Sequence, residues 1–293
     1  FSKDSLIKLF SYSWKITLSS FLITLYDNIR GLVVGKKYSS DDLAYYNKGR
    51  LYPNLVAGNI NTSISKVLFP ALSNEQRNTS TVLNMTRRAI KESSYILTPL
   101  LFGLAACSKQ FVVALLTEKW LPIVPYLQIM CIVYALQPMQ TASIQAMKAV
   151  GKSDLYLKLE IKKKIINFAI LLISLFAFNQ VFIVAIGALL AEMSSTLINF
   201  PVNKKQFGYS YRLQFRDITP AFVLSSVMFV FVYLCGLIII NPFICLLIQI
   251  IVGAIFYIGV SRMLRFESYC YTISIIKTVV NKHRKGKEND STC

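Results

Sequence analysis

Lys162-Lys-Lys-Ile-Ile-Asn-Phe-Ala-Ile-Leu-Leu-Ile-Ser-Leu-Phe-Ala-Phe178 passes from three lysines into an apolar run. The chain then crosses the uncharged Asn179-Gln180, re-enters apolar sequence at Val181, and meets cations again at Lys204 and Lys205. This rhythm extends in both directions. Cationic gaps hold Arg77, Arg87, Arg88 and Lys91, then Lys148, Lys152, Lys158 and Lys162 to Lys164, then Lys204, Lys205, Arg212 and Arg216. The gaps between them carry little: Lys36 and Lys37 offset by Asp41 and Asp42, then Lys109 and Lys119, then no charge at 178–180 or at Asn241-Pro242. Short loops rich in Lys and Arg stay cytoplasmic. The pattern predicts an all-α polytopic membrane protein with about eight transmembrane helices and both ends cytoplasmic.

Composition agrees with that reading. Hydrophobic residues make up 54% of the 293 and charged residues only 16%, a low share for a soluble domain of this size. The net charge of +18 raises nucleic acid as a partner. The cations sit in loops and a tail rather than on one amphipathic face, so membrane lipids at the cytoplasmic surface account for them and no nucleic acid is expected. Six cysteines are scattered without a CxxC pair, which suggests neither a metal site nor a disulfide framework, and no cofactor is implied. Residue 1 is Phe and no signal peptide precedes the first span, so a missing upstream part is expected.

Spans are expected at about 11–34, 43–72, 83–107, 122–149, 162–179, 181–202, 218–240 and 243–261, each near the ~20 residues a bilayer requires. Ser39-Ser40-Asp41-Asp42 is an N-terminal cap signal for the second. Pro70, Pro99, Pro138 and Pro201 fall near ends or inside spans, where they kink helices. Trp120 and Tyr126 fit an aromatic belt at the outer boundary. The tail beyond Arg262, with Lys282, His283, Arg284, Lys285 and Lys287, reads as a disordered basic segment near the membrane surface.

Three spans carry polar stripes. Ser13, Thr17, Ser20, Thr24 and Asp27 share one face of the first, with Gly31 continuing the stripe and Arg30 a turn beyond Asp27. Asn47, Arg50, Asn54, Gly58, Asn61 and Ser65 share a face of the second, and Tyr134, Gln137, Thr141, Gln145 and Lys148 a face of the fourth. An ionised side chain at mid-bilayer costs roughly 2.5–3.5 kcal/mol on insertion scales, so it faces a partner or water. Either these residues glue helices together, with Asp27 pairing locally to Arg30, or three helices surround one hydrated, cationic cavity. Asn, Gln, Ser and Tyr suit sugar hydroxyls, while Arg and Lys suit phosphate oxygens.

Arg30 and Arg50 are the leading phosphate-contact candidates, with Asp27, Asn54, Asn61 and Gln137 completing the lining. Lys48 lies roughly 160° around the helix from Arg50, so both cannot point straight into one lumen. Lys48 and Lys66 each have a snorkelling alternative near a membrane surface. Glu192, grouped with Ser195, Thr196 and Asn199, is either a proton or cation site or a hydrogen-bonded structural acid.

Three stretches carry a family resemblance. They are Asp42-Leu-Ala-Tyr-Tyr-Asn-Lys-Gly-Arg50 with Val67-Leu-Phe-Pro-Ala-Leu-Ser73, then Leu115-Leu-Thr-Glu-Lys-Trp-Leu-Pro-Ile-Val-Pro-Tyr-Leu-Gln128, then Gly151-Lys-Ser-Asp-Leu-Tyr-Leu-Lys-Leu-Glu-Ile-Lys-Lys163. Together they resemble bacterial lipopolysaccharide and O-antigen flippases of the multidrug, oligosaccharidyl-lipid and polysaccharide exporter superfamily. A Gly is common in that family where Thr117 stands, so the loop before Glu118 is expected to turn differently.

The resemblance implies two six-helix lobes facing each other, often followed by two further helices. Residues 1–205 would be the second lobe, 206–261 the two additional helices, and 262–293 the basic cytoplasmic tail. It implies flipping of undecaprenyl-diphosphate-linked oligosaccharide across the inner membrane by alternating access, with Arg30 and Arg50 at positions suited to the diphosphate. The partners implied are that lipid-linked oligosaccharide and the missing N-terminal lobe. A cation-coupled multidrug exporter of the same superfamily is the nearest alternative, and it would require acidic lumen residues. A membrane-bound polysaccharide biosynthesis enzyme is the other; the only His is His283, no aspartate-pair motif is present and the outer loops are short, so the reading is of a non-enzyme.

Overall fold

The computed structural model describes residues 3–177, 180–238, 241–274 and 277, and the cations and His283 of the tail at 282–287 lie outside them. Up to Met263 the described residues form ten α-helices, Lys3–Lys37 (α1), Ser40–Asn74 (α2), Thr79–Ala106 (α3), Ser108–Leu115 (α4), Val124–Ala135 (α5), Gln137–Ala149 (α6), Ser153–Phe176 (α7), Val181–Phe207 (α8), Tyr211–Ile238 (α9) and Pro242–Met263 (α10). The fold is all-α and polytopic. Connections are short and lie alternately at the two ends of the bundle, so successive rods run up and down.

The N-terminal cap of α2 forms as the sequence predicts. The Ser39 hydroxyl oxygen accepts from the Asp42 backbone N–H at 3.1 Å, and Asp41 and Asp42 occupy the first turn of α2, where acids complement the helix dipole. Pro53 and Pro70 are both accommodated inside α2.

The third and fourth spans depart from simple rods. Beyond α3 the chain bends by 69° into the short helix α4, across a stretch expected to be loop. A 3-10 turn at Glu118–Ile123 follows, and the fourth expected span, 122–149, breaks at Leu136 into α5 and α6. Pro138 sits in the first turn of α6, where its missing N–H costs nothing, while the residue before a proline is steered away from helical geometry. The expected 162–179 span begins at Ser153, because nothing between Ser153 and Phe176 interrupts the helix. Lys158 and Lys162 to Lys164 therefore belong to α7 itself rather than to a gap.

Eight rods result when α3 with α4, and 118–149, each count once. Four stretches, 118–149, α8, α9 and α10, are long and apolar enough to cross a membrane by length and composition, or five with the bent α3–α4 pair. The rods α1, α2 and α7 fall outside that test, and each carries charged side chains along its length, among them Asp27, Arg30, Lys48, Arg50 and Lys164.

Inter-helix adhesion is mixed, as expected where lipid supplies no hydrophobic drive between helices. One core joins Tyr46 of α2, Leu97 and Leu101 of α3, Leu127 and Met130 of α5, and Val184 and Ala185 of α8. A second, at the opposite end, joins Leu72, Ile90, Met147 and Tyr209. Helices α9 and α10 attach to α3 through Leu224, Met228, Val232 and Tyr257. Polar contacts reinforce that seam: Tyr257 donates to the Tyr95 carbonyl at 2.9 Å, and Arg87 grips Asp217 in a bidentate pair at 2.7 and 3.1 Å. The outer faces of α9 and α10, with Phe231, Leu237, Ile251 and Ile255, are exposed and suit lipid.

Two local readings are corrected here. Tyr126 is buried against Tyr46 and Phe182 rather than standing in an outer belt, because Gly49 brings α2 close enough to cover it. Residues 267–274 are helical rather than disordered, held by Glu267 on Lys91 and by Tyr271 beneath Arg88.

Candidate functional site

Asp27 and Arg30 lie one turn apart on α1, and Arg50 reaches them from α2. Counting from the helix ends at Lys37 and Ser40, this cluster sits roughly 10–15 Å inside the bundle. A single oxygen, Asp27 Oδ1, serves both guanidinium groups: Arg30 at 3.2 Å and Arg50 at 3.4 Å. Arg50 also donates its Nε–H to the Tyr134 hydroxyl at 3.0 Å, which ties α2 to α5. Tyr26 lies 5.7 Å from the Arg30 guanidinium and 4.8 Å from the Lys164 ammonium, so one ring faces two cations.

Position is set by a close helix contact. Gly49 precedes Arg50, and a Cβ there would stand 2.6 Å from Tyr126 Cβ and 3.0 Å from the Leu127 backbone nitrogen. Only glycine lets α2 approach α5 this closely, and that approach brings Arg50 within reach of Tyr134.

The electrostatics are unbalanced toward cations. Two guanidiniums share one carboxylate, and Lys164 stands nearby. The Nε of Arg30 is buried and lacks an acceptor among the described residues, while Asp27 remains 40% exposed. The cluster thus retains donor capacity and net positive charge, the chemistry that takes a multiply charged oxyanion.

The other expected lining residues divide. Asn61 donates to Gln137 at 2.9 Å, and Gln145 donates to Ser65 at 3.0 Å, so the α2 and α6 stripes meet, while Asn61 Oδ1 is buried without a donor among the described residues. Asn54 is exposed on α2, as are Thr17, Ser20 and Thr24 on α1. Lys48 does not join it: its ammonium lies 5.2 Å from the Trp120 ring, which accounts for a lysine on that face. Lys66 is exposed two turns beyond Asn59 and also stands apart from the arginines.

Several partners were hidden from sequence reasoning. Gln140 of α6 donates to Glu192 at 2.7 Å and to Thr196 at 3.2 Å, and Ser195 bonds Asn167 of α7 rather than Glu192. Lys163 and Glu160 form a buried pair at 2.9 Å. The spacing of Glu160, Lys163, Lys164 and Asn167 on one helical face was the signal available, obscured by placing those lysines in a loop.

Comparison with known proteins agrees with the family resemblance. Residues 1–125 match the polysaccharide biosynthesis protein family. An uncharacterized membrane protein in the cps region of Klebsiella pneumoniae is 29% identical over 64% of this chain and 39% of its own length. The teichuronic acid biosynthesis protein TuaB of Bacillus subtilis is 31% identical over 47% of this chain and 29% of its own. The lipopolysaccharide biosynthesis protein WzxC of Escherichia coli is 25% identical over 76% of this chain and 45% of its own. The chain therefore spans less than half the length of these curated relatives. No solved structure matches significantly.

Proposed function

We propose that the chain, whose residues 1–125 match the polysaccharide biosynthesis protein family, forms one lobe, with two additional helices, of a carrier for lipid-linked oligosaccharide. The substrate is an undecaprenyl-diphosphate-linked repeat unit, moved from the cytoplasmic to the outer leaflet of the inner membrane by alternating access. Both ends of this segment face the cytoplasm, as the positive-inside pattern requires. Residues 1–205 form the lobe and 206–261 the added helices.

One observation carries the proposal: Arg30 and Arg50 converge on a single, partly exposed carboxylate deep within the rods. A diphosphate entering the cavity takes the donors that Asp27 leaves unused, and Asp27 orients Arg30 or accepts a proton. The exposed polar faces of α1 and α2, including Asn54, meet the sugars, while the polyprenyl tail stays in lipid between this lobe and the one preceding it. Asn61 and Gln137 exchange their mutual hydrogen bond for sugar hydroxyls. Lys48 and Lys66 act outside the diphosphate site.

A cation-coupled drug exporter of the same superfamily would place surplus acid here. The two-to-one excess of guanidinium over carboxylate favours an anionic substrate instead. Arg30→Gln and Arg50→Gln are expected to cut surface glycan severely while membrane levels of the protein stay normal. Unchanged glycan in both single variants would remove phosphate capture. Lost resistance to cationic dyes with intact glycan would favour drug export.

A further inference from the structure

On the far side of α3 from the arginine cluster, a cavity of about 230 Å³ opens among α3, α9, α10 and the helical residues 267–274. Helix α3 separates the two places, packing on α2, α5 and α6 with one side and on α9 with the other. The cavity's walls divide by chemistry. Tyr95, Leu224, Tyr257 and Phe266 make an apolar side, and Lys91 with Arg216 a cationic one.

The acids at this cavity are already committed. The Asp217 carboxylate is fully buried, held by the Nε and Nη2 of Arg87 and by the Tyr209 hydroxyl at 2.8 Å. Lys91 lies 3.7 Å from Asp217 and bonds Glu267 at 2.6 Å, but the Glu267 side chain is 79% exposed and held only at its tip. Arg216 is exposed and has no ion pair among the described residues. An arriving anion thus meets one uncommitted guanidinium and one ammonium whose partner is easily displaced. The apolar wall beside them belongs to the buried seam of α3, α9 and α10, with Phe266 partly buried at its edge.

We propose that this cavity binds an anionic phospholipid, its phosphodiester on Arg216 and Lys91 and the start of its acyl chain against Leu224, Tyr257 and Phe266. Basic pockets between transmembrane helices at the cytoplasmic face hold such headgroups. The lipid bridges α3 to the two added helices and to residues 267–274, so it acts as a bound stabiliser of that seam.

The test uses the purified full chain in detergent, with dioleoylphosphatidylglycerol, dioleoylphosphatidylcholine and inorganic phosphate as separate probes. Native mass spectrometry and thermal denaturation read binding. Dioleoylphosphatidylglycerol should be retained as one molecule per chain and raise the melting temperature, and the other two probes should do neither. Arg216→Gln should weaken retention about fivefold. Arg212→Gln, an exposed neighbour outside the cavity, should leave it unchanged. Equal weakening by both variants would reduce the effect to diffuse surface charge and overturn the site. Equal retention of dioleoylphosphatidylcholine, or equal stabilisation by inorganic phosphate, would also overturn it.

Discussion

Arg50 of α2 and Tyr134 of α5, 84 residues apart in sequence, are joined by a 3.0 Å hydrogen bond that aims the guanidinium toward Asp27. The tyrosine accepts through its hydroxyl and carries no charge of its own, so it fixes the direction of Arg50 without consuming its charge. Tyr134→Phe should keep the fold and lower glycan export several-fold. Arg50→Lys should also fail to restore export, because an ammonium cannot reach tyrosine and carboxylate together in the planar fork geometry. Export assays on cells with matched protein levels check both.

Gly49 is a steric requirement of the same contact. Gly49→Ala sets a Cβ against Tyr126 and the Leu127 backbone, and backbone cannot swing aside. Overpacking of this kind costs about 1–3 kcal/mol. Thermal unfolding in detergent should show the loss, and export should fall along with it because Arg50 moves.

Thr117 holds φ +88° and ψ +161°, a region that side chains with a Cβ avoid and glycine adopts freely. A β-branched residue thus occupies the turn between α4 and Glu118, where the family resemblance led to the expectation of a glycine. Thr117→Gly should therefore stabilise the chain by about 1 kcal/mol, read as a higher melting temperature with unchanged export.

The Arg87–Asp217 pair fastens α9 to α3. Removing Arg87 leaves the buried Asp217 carboxylate with only the Tyr209 hydroxyl and Lys91 at 3.7 Å, and breaking a buried pair in this way costs about 3 kcal/mol. Arg87→Met should destabilise strongly, and the double variant Arg87→Met with Asp217→Leu should recover much of the loss. A double-mutant cycle on unfolding measures the coupling.

Charge alternation and apolar length made the up-and-down rods legible, because both are properties of single segments. Ser39 as a cap and Arg30 with Asp27 were legible for the same reason, being local in sequence. The bend into α4 was not, since Ala106 to Ser108 offers no proline or glycine to mark it. Arg87–Asp217 and Gln140–Glu192 were hidden because each joins distant helices, and no periodicity within one helix reveals its partner. The α2 and α6 stripes were read from periodicity as lining, and their meeting through Asn61–Gln137 and Ser65–Gln145 adds that they close on each other.

The central claim is that the polar faces of α1 and α2 border water rather than lipid. Its most direct measurement is labelling by a membrane-impermeant maleimide in a full-length chain whose six native cysteines are replaced by alanine. Single cysteines at Thr24 and Asn54 probe the polar faces, and one at Val67, 73% exposed on an apolar face of α2, reports lipid. The account predicts that Thr24→Cys and Asn54→Cys label readily while Val67→Cys does not. Labelling of all three at the same low rate would contradict it.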